Sequence, residues 1–267
     1  MPLVDRVAGI IHDIATTEVM PHLGTLLSDH IVRKSTPDDP EDVVTLVDHR
    51  VERRLMEALP GIIPGATFLG EEAVAAVPEL IDRLSQDAPV WVIDPIDGTK
   101  NFAKGRPQFG IMVALVQTGR TRAGWIAVPA TGDLLTAEEG QGTSLNSAVA
   151  RTRQDTPRTL RGTVHTRLIP DEQRSRIIER CRGRFEEIES TGSAAIEYLD
   201  IVRGVKDFVV YYRLLPWDHA AGALALVEAG GSARHLDGAG YSPMSRDQIT
   251  IFAANEAIGS QVRGVLA

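Results

Sequence analysis

Cysteine is nearly absent: Cys181 is the only one in 267 residues. No intramolecular disulfide can form, the usage fits a reducing cytoplasm, and any metal site built from several thiolates is excluded. Cys181 itself lies in the helix-like stretch Ile177-Ile178-Glu179-Arg180-Cys181 and reads as a packed residue rather than a catalytic thiol. Long apolar runs are missing too, and no stretch approaches the roughly 18–20 residues of a membrane-spanning helix. Near the start, Asp5, Asp13 and Glu18 interrupt the apolar positions, unlike the unbroken apolar stretch behind a basic start that marks a secretory leader. There is no long block of Lys and Arg. The 28 basic and 36 acidic side chains leave a net charge of −8, with no broad electrostatic footprint for nucleic acid. That balance does not exclude a phosphorylated ligand, because bound divalent cations reverse the local charge. Internal repeats and low-complexity tracts are lacking as well.

What is present suits one large domain or two fused lobes sharing a core, with 43% hydrophobic residues. Val4, Val7, Ile10, Ile11 and Ile14 fall at helical spacing, predicting a first helix over 3–27. A polar loop over 33–41 precedes a helix predicted over 42–59, with Val44, Val47, Val51 and Leu55 on one face and Pro60-Gly61 ending it. Strands are expected at 66–69, 90–93, 109–117, 121–128 and 133–137, with a helix over 78–84. A loop follows at 138–142. The polar segment 148–158 is the candidate boundary between an N-terminal α+β lobe (1–147) and a C-terminal α/β lobe (148–267). Strands at 162–165, 184–188, 207–211 and 249–253 there alternate with helices at 171–182, 194–202, 219–229 and the C-terminus.

The chemistry gathers where apolar segments end in acid. Trp91-Val92-Ile93 runs into Asp94-Pro95-Ile96-Asp97-Gly98-Thr99; Ala66 to Leu69 runs into Gly70-Glu71-Glu72; Leu214 to Trp217 runs into Asp218. Taken singly, Asp218 is a helix cap, Glu71-Glu72 a solvated turn, and Asp94 and Asp97 turn formers. Taken together they suit a cation. Two carboxylates at one strand end repel each other unless a cation lies between them. Mg²⁺ takes about six oxygens from carboxylates, a carbonyl, waters and substrate phosphate, and the lack of a histidine-rich set disfavours zinc. A Gly-Thr turn after the acids can hold an oxyanion through its N–H groups and orient a water through its hydroxyl. An aspartyl-phosphate enzyme of the haloacid-dehalogenase kind needs Asp-x-Asp-Gly-Thr, but the residue two before Asp97 is Pro95. Water is therefore the expected nucleophile.

These motifs resemble the inositol monophosphatase family of Mg²⁺-dependent, lithium-sensitive phosphatases. The carriers are Gly70-Glu71-Glu72, Asp94 to Thr99, and Trp217-Asp218-His219-Ala220-Ala221-Gly222 with Glu228-Ala229-Gly230-Gly231 behind it. The resemblance spans nearly the whole chain. It implies a layered αβαβα sandwich, usually a homodimer, acting on a small phosphorylated metabolite with two or three Mg²⁺. By the same resemblance, Glu71, Asp94 and the Ile96 carbonyl hold a first ion, and Asp94, Asp97 and Asp218 hold a second. Glu71 touches a third, weaker ion and Glu72 supports the surrounding waters. Asp48 and Thr99 orient the attacking water, and the N–H groups of Gly98 and Thr99 bind phosphate.

The substrate side implied by the resemblance is Gly192, Ser193, Ala194, Tyr211 and Arg213. Tyr211 stands where animal relatives carry an acid that contacts the inositol ring. Arg213 is either a surface residue or a holder of a second phosphate or carboxylate. Lys100 replaces a more frequent threonine, and the loop around Lys34, with Asp38, Asp39 and Glu41, resembles the mobile family loop near the third ion. Myo-inositol 1-phosphate is the leading substrate. Histidinol phosphate, fructose 1,6-bisphosphate, 3′-phosphoadenosine 5′-phosphate and NADP are the alternatives, and a role as an interaction protein in RNA metabolism is the reading from another class.

Overall fold

The strand that carries the central acids is buried along its whole length, and its side chains alternate between two cores. In β4 (Val90–Asp97), Val90 and Val92 pack into one core and Trp91 and Ile93 into the other. A strand covered on both faces must be apolar at every position, which is why this run shows no period-two pattern. In this computed structural model the backbone is described for residues 1–26, 31–33 and 43–267, and the side chains for all of these except 31–33 and 43. The loop calls on Lys34, Asp38, Asp39 and Glu41 lie outside the described residues.

β4 belongs to a seven-stranded sheet. Its order is β3 (Thr67–Gly70), β4, β5 (Gly110–Gln117), β6 (Arg120–Val128), β7 (Asp133–Glu138), β8 (Gly142–Leu145) and β9 (Ala148–Ala150). Only the β3–β4 pair is parallel. Helices α1 (Leu3–Ile14) and α2 (Leu46–Ala58) cover one face, burying Val7, Ile11, Val47, Val51 and Leu55 against Trp91 and Trp125. Helices α6 (Ala194–Val202) and α7 (Pro216–Glu228) cover the other. Beyond them lies a five-stranded sheet in the order β11 (Glu186–Glu187), β10 (Arg161–Val164), β12 (Phe208–Tyr211), β14 (Thr250–Ala253) and β13 (Ser232–His235). Helices α5 (Asp171–Cys181) and α8 (Glu256–Leu266) close the outer side. The layers are therefore α, β, α, β, α. Two short helices, α3 (Glu71–Ala76) and α4 (Thr99–Ala103), and a small antiparallel pair, β1 (Ile31–Arg33) with β2 (Val43–Thr45), complete the description. Among the described residues no helix is long and apolar enough to cross a membrane.

Several predicted bounds change for physical reasons. The first helix is α-helical only to Ile14 and continues as a π turn over Ala15–Val19 and a 3₁₀ turn over Met20–His22. Pro21 lacks an N–H and its ring crowds the carbonyl four residues back, so the regular ladder cannot run through it. The helix expected from residue 42 starts at Leu46, because Val43-Val44-Thr45 pair as a strand and Thr45 caps the helix. The segment 78–84 is a 3₁₀ run over Pro78–Ser85. Strands β8, β9 and β13 went unpredicted, being short and weakly patterned. Asp218 is the third residue of α7 rather than its cap, since Pro216 occupies the first turn with its φ already helical.

Candidate active site

The expected period-two geometry of β4 would point Asp94 and Asp97 to opposite faces. A register shift removes the conflict: Asp94 pairs with Met112 and Asp97 with Gly110, so three steps on β4 match two on β5. Pro95 has no N–H for the ladder, and the extra residue is accommodated there as a bulge. Side-chain parity flips across it. Ile96 packs with Trp91 and Ile93 rather than with Val92, which puts Asp97 on the side of Asp94, facing α6.

Asp97 is held by the start of that helix. Its Oδ1 accepts from the Ala194 N–H at 3.1 Å and its Oδ2 from the Ala195 N–H at 2.7 Å, while the Ser193 hydroxyl donates to it as well. The predicted substrate residues Ser193 and Ala194 thus commit their polar groups to Asp97. The preceding turn has Gly192 at φ +73°. It is fixed from two sides: Glu197 Oε1 accepts the Thr191 N–H at 2.8 Å, and Asn101 Nδ2 donates to the Thr191 carbonyl at 2.9 Å.

Asp94 is 2% exposed and its Oδ1 is buried without a hydrogen-bond partner. Its pKa is raised well above the ordinary value, first by burial and then by the charges of Glu71, Asp97, Asp218 and Asp48. These five acids come from four separate places in the chain and act on one point. Glu71 and Glu72 open α3 just after β3, and β3 and β4 are parallel neighbours with Gly70 beside Ile93. Their ends therefore release acid at the same rim, where ligands of α/β sheets gather. Asp218 adds a carboxylate from the first turn of α7, Asp48 one from the first turn of α2. Placement in N-terminal helical turns offsets part of the mutual repulsion, since those ends carry partial positive charge.

Asp48 is fully buried in a capping box with Thr45. Its Oδ2 accepts the Thr45 N–H at 2.9 Å, and the Thr45 hydroxyl accepts from the Val47 N–H at 3.2 Å. That leaves Oδ1, which lies 3.2 Å from the Thr99 hydroxyl. The same hydroxyl lies 2.8 Å from the Ile96 carbonyl. Burial pushes the Asp48 carboxyl up to about 7 against the lowering effect of the Thr45 hydrogen bonds. Gly98, at φ +86°, makes the turn into α4. A Cβ there would sit 2.9 Å from the Gln108 carbonyl and 3.0 Å from Ser193 Cβ, so only glycine fits.

The acids fit a hard divalent cation: every donor is oxygen, and an orphaned buried carboxylate oxygen stands among like charges. Among the described residues no three His, Cys, Asp or Glu side chains already converge as a closed metal cluster.

Sequence reasoning missed Glu52. It is buried, accepts the N–H groups of Glu72 at 2.9 Å and Ala73 at 3.0 Å, and so caps α3 and positions Glu71-Glu72. A Cβ on Gly70 would lie 2.3 Å from the Glu52 carboxylate, so a side chain there would push Glu52 off the α3 N–H groups. The signal was there: Glu52 follows Asp48 by one helical turn, an acid beside the apolar positions Val47, Val51 and Leu55.

Beside Asp218 opens a cavity of about 160 Å³ lined by Tyr211, Arg213 and the unpredicted His165 and Arg167. The Arg213 carbonyl can only accept, so His219 Nε2, 3.2 Å away, carries the proton; Tyr198 then donates to Nδ1 at 3.0 Å. Burial lowers the His219 pKa to about 3, which keeps the ring neutral. A larger cavity of about 760 Å³ lies at the far end of α7, around Glu228 and Tyr241, and contains none of the clustered acids. The chemistry follows the acids, not the larger void.

The sandwich and its acid-rich strand ends define a metal-dependent phosphatase class. The chain belongs to the inositol monophosphatase family, which it matches over residues 4–264. It is 33% identical over 209 residues to the fructose-1,6-bisphosphatase/inositol-1-monophosphatase of Thermotoga maritima, covering 78% of this chain and 77% of that protein. It is 29% identical over 231 residues to the inositol-1-monophosphatase of Bacillus subtilis (84% and 83% covered), and 33% identical over 216 residues to the Nus factor SuhB of Escherichia coli K12 (76% and 78%). The solved structure of a Thermotoga maritima IMPase superposes with a TM-score of 0.82 at 28% identity, covering 100% of this chain and 97% of that one. The protein is accordingly a metal-dependent phosphoric monoester hydrolase.

Proposed function

We propose that this chain hydrolyses a small phosphorylated polyol, myo-inositol 1-phosphate being the first substrate to try, by Mg²⁺-assisted attack of water on phosphorus. The observation that carries this is Asp94, a buried carboxylate with an unpartnered oxygen among four further acids. Glu71, Asp94 and the Ile96 carbonyl would hold one ion, Asp94, Asp97 and Asp218 a second, and Glu71 a third. Mg²⁺ bound there supplies Lewis-acid charge that acidifies water and offsets negative charge on the phosphate and the leaving oxygen.

The chain's own groups do the rest. The Thr99 hydroxyl has one proton and two acceptors in reach, Ile96 O and Asp48 Oδ1. With the Ile96 carbonyl engaged elsewhere, the hydroxyl donates to Asp48 and turns its lone pairs to the attacking water. Asp48, which accepts from that hydroxyl, is placed to take up the water's proton through it as the new O–P bond forms. The Gly98 and Thr99 N–H groups would bind the phosphate oxygens; as the ester O–P bond breaks, the leaving oxygen takes a proton from one of the waters that Glu72 supports, and the alcohol departs toward Tyr211 and Arg213.

A homodimer and a cytoplasmic setting belong to this reading, supported by family habit and by the single cysteine. The SuhB relative raises a role in RNA metabolism; the retained acid cluster favours catalysis, because burying acids together is costly without a ligand. Phosphate release from myo-inositol 1-phosphate, measured with Mg²⁺ and again with EDTA, tests the proposal. Release that needs Mg²⁺ is the expected result; no release from any small phosphate monoester, at any Mg²⁺ concentration, would overturn it.

A further inference from the structure

A cavity of about 400 Å³ lies between α5 and the five-stranded sheet, away from the clustered acids and within the usual size range of small-ligand pockets. Val164 of β10, Phe208 of β12, Ile178 of α5 and Phe185 give it an apolar lining. The Phe185 and Phe208 rings meet edge to face at 4.8 Å between centroids. The charged lining is one residue of each sign: Arg182, just after α5, and Glu187 on the edge strand β11. Both are exposed, and among the described residues neither is in an ion pair. The far wall of this cavity is shared. Val164 and Thr166 line it, whereas the intervening His165 and Arg167 line the smaller cavity beside Asp218. Successive residues of an extended chain face opposite sides, so one stretch of backbone separates the two voids. On β12 the same division puts Phe208 in the outer cavity and Tyr211 in the inner one. His165 stacks on Tyr211 at 4.3 Å between ring centroids with a 13° interplanar angle, which ties the two strands together at the inner wall.

We infer that the outer cavity binds an α-amino acid with an aromatic side chain, and that the bound amino acid adjusts the active site through residues 164–167. The guanidinium of Arg182 suits the carboxylate, the Glu187 carboxylate suits the ammonium, and the apolar lining removes the ring from water against two further rings. A ligand with a single charge would leave one of the two rim charges unmatched, whereas a zwitterion matches both. A ligand packed on Val164 and Thr166 bears on the backbone that carries His165 and Arg167. The effect on catalysis rests on the proposed function, in which substrate lies against Tyr211 and Arg213; the binding does not.

Calorimetric titration of the full chain reads the cavity without turnover. The probes are L-phenylalanine, 3-phenylpropanoate (no ammonium), 2-phenylethylamine (no carboxylate) and L-alanine (no ring). L-phenylalanine should bind about 10-fold or more tighter than each of the others. Arg182→Gln should cancel its advantage over 2-phenylethylamine, and Glu187→Gln its advantage over 3-phenylpropanoate; both side chains are exposed, so the fold is kept. Alkylation by iodoacetamide locates the ligand, because Cys181 lines the cavity and is the only thiol in the chain. Saturating L-phenylalanine should slow it. With Mg²⁺ and the phosphate monoester that is hydrolysed fastest, the same addition should shift KM about 5-fold or more with little change in kcat, and the two variants should lose that shift. No binding of L-phenylalanine, equal binding of a singly charged probe, or an unchanged alkylation rate overturns the site. Binding that leaves KM unmoved overturns the coupling. If no phosphate monoester is hydrolysed the functional reading fails, while calorimetry and alkylation still decide the cavity.

Discussion

Asp94 and Asp97 sit one bulge apart on a strand yet carry different structural burdens. Asp97 accepts two N–H groups and a hydroxyl from the start of α6. Asp97→Asn turns an amide donor toward those donors, so it should lose metal-dependent turnover and also about 1–3 kcal/mol of stability. Asp94 has an unpartnered oxygen and four acids acting on it. Asp94→Asn should therefore abolish turnover and the Mg²⁺-induced rise in Tm while leaving the metal-free Tm equal to wild type or higher. Calorimetry of both variants with EDTA and with Mg²⁺ checks the contrast; a metal-free Asp94→Asn protein that melts well below wild type would contradict it. Thr99→Ala removes the hydroxyl between Ile96 O and Asp48 Oδ1. Its kcat should fall about 100-fold, within the usual range for a misplaced water and base, with little change in substrate KM. Thr99→Ser should restore most of the loss, and steady-state kinetics on the pair decides the point.

At the scale of elements, the site is an assembly of helix starts around two strand ends. α2, α3, α4, α6 and α7 all present their first turn there, each by a different local device: a capping box at Thr45, Glu52 reaching over to α3, Gly98 in the left-handed region, Ser193 as cap, Pro216 in the first turn. One of these supports depends on a buried ion pair. Lys206 and Glu197 are each 1% exposed at the side chain and bonded to each other, and Glu197 also holds the Thr191 N–H ahead of Ser193. Lys206→Met strands the Glu197 charge in the interior. We expect a loss of about 3–5 kcal/mol in urea unfolding, with KM for substrate rising as the 191–193 turn loosens. An unchanged midpoint would show that the pair is dispensable. Much at this scale escaped the sequence. β8 and β9 alternate too briefly to stand out, and the Val43-Val44-Thr45 strand continues the helical spacing of Val47 and Val51. Lys206 and Glu197 look like surface residues until the fold buries them. The bulge at Pro95 was legible as a turn, but not as the inversion of parity that aligns Asp97 with Asp94.

For the whole molecule, clustered acids make stability depend on pH and metal together. Asp48 and Glu52 have pKa values raised to about 7 by burial, and Asp94 and Asp97 are raised as well. A carboxyl whose folded pKa exceeds its unfolded value contributes stability fully below the unfolded value and loses it as pH rises through the folded one. The buried histidines oppose this. His165, His219 and His235 have lowered pKa values, so their contribution grows with pH, is still growing at half its full slope at the unfolded value of about 6.5 and is nearly complete about one unit higher. Between pH 6.5 and 8 the histidines have only the last part of their gain left, and the four raised carboxyls outweigh them and set the sign. In EDTA the Tm should fall across that window, and Mg²⁺, which binds the deprotonated acids, should raise Tm more at pH 8 than at pH 6.5. Scanning calorimetry at the two pH values is sufficient, and a rising metal-free Tm would refute the sign.

The sequence alone determined the reaction class, because acid spacing, the Gly-Thr turn and the run into each acid are local facts that a few consecutive residues carry. It also located the strand over 90–93 as an apolar run ending in acid; that two cores cover its two faces is a fact of the tertiary structure. Only the tertiary structure decided how the acids are held: Asp97 by residues 96–98 positions away, Glu71-Glu72 by Glu52. It decided as well that Arg167 joins Arg213 at the cavity beside Asp218. Contacts between distant residues depend on which faces pack and how strands register, and no short window of residues contains that information.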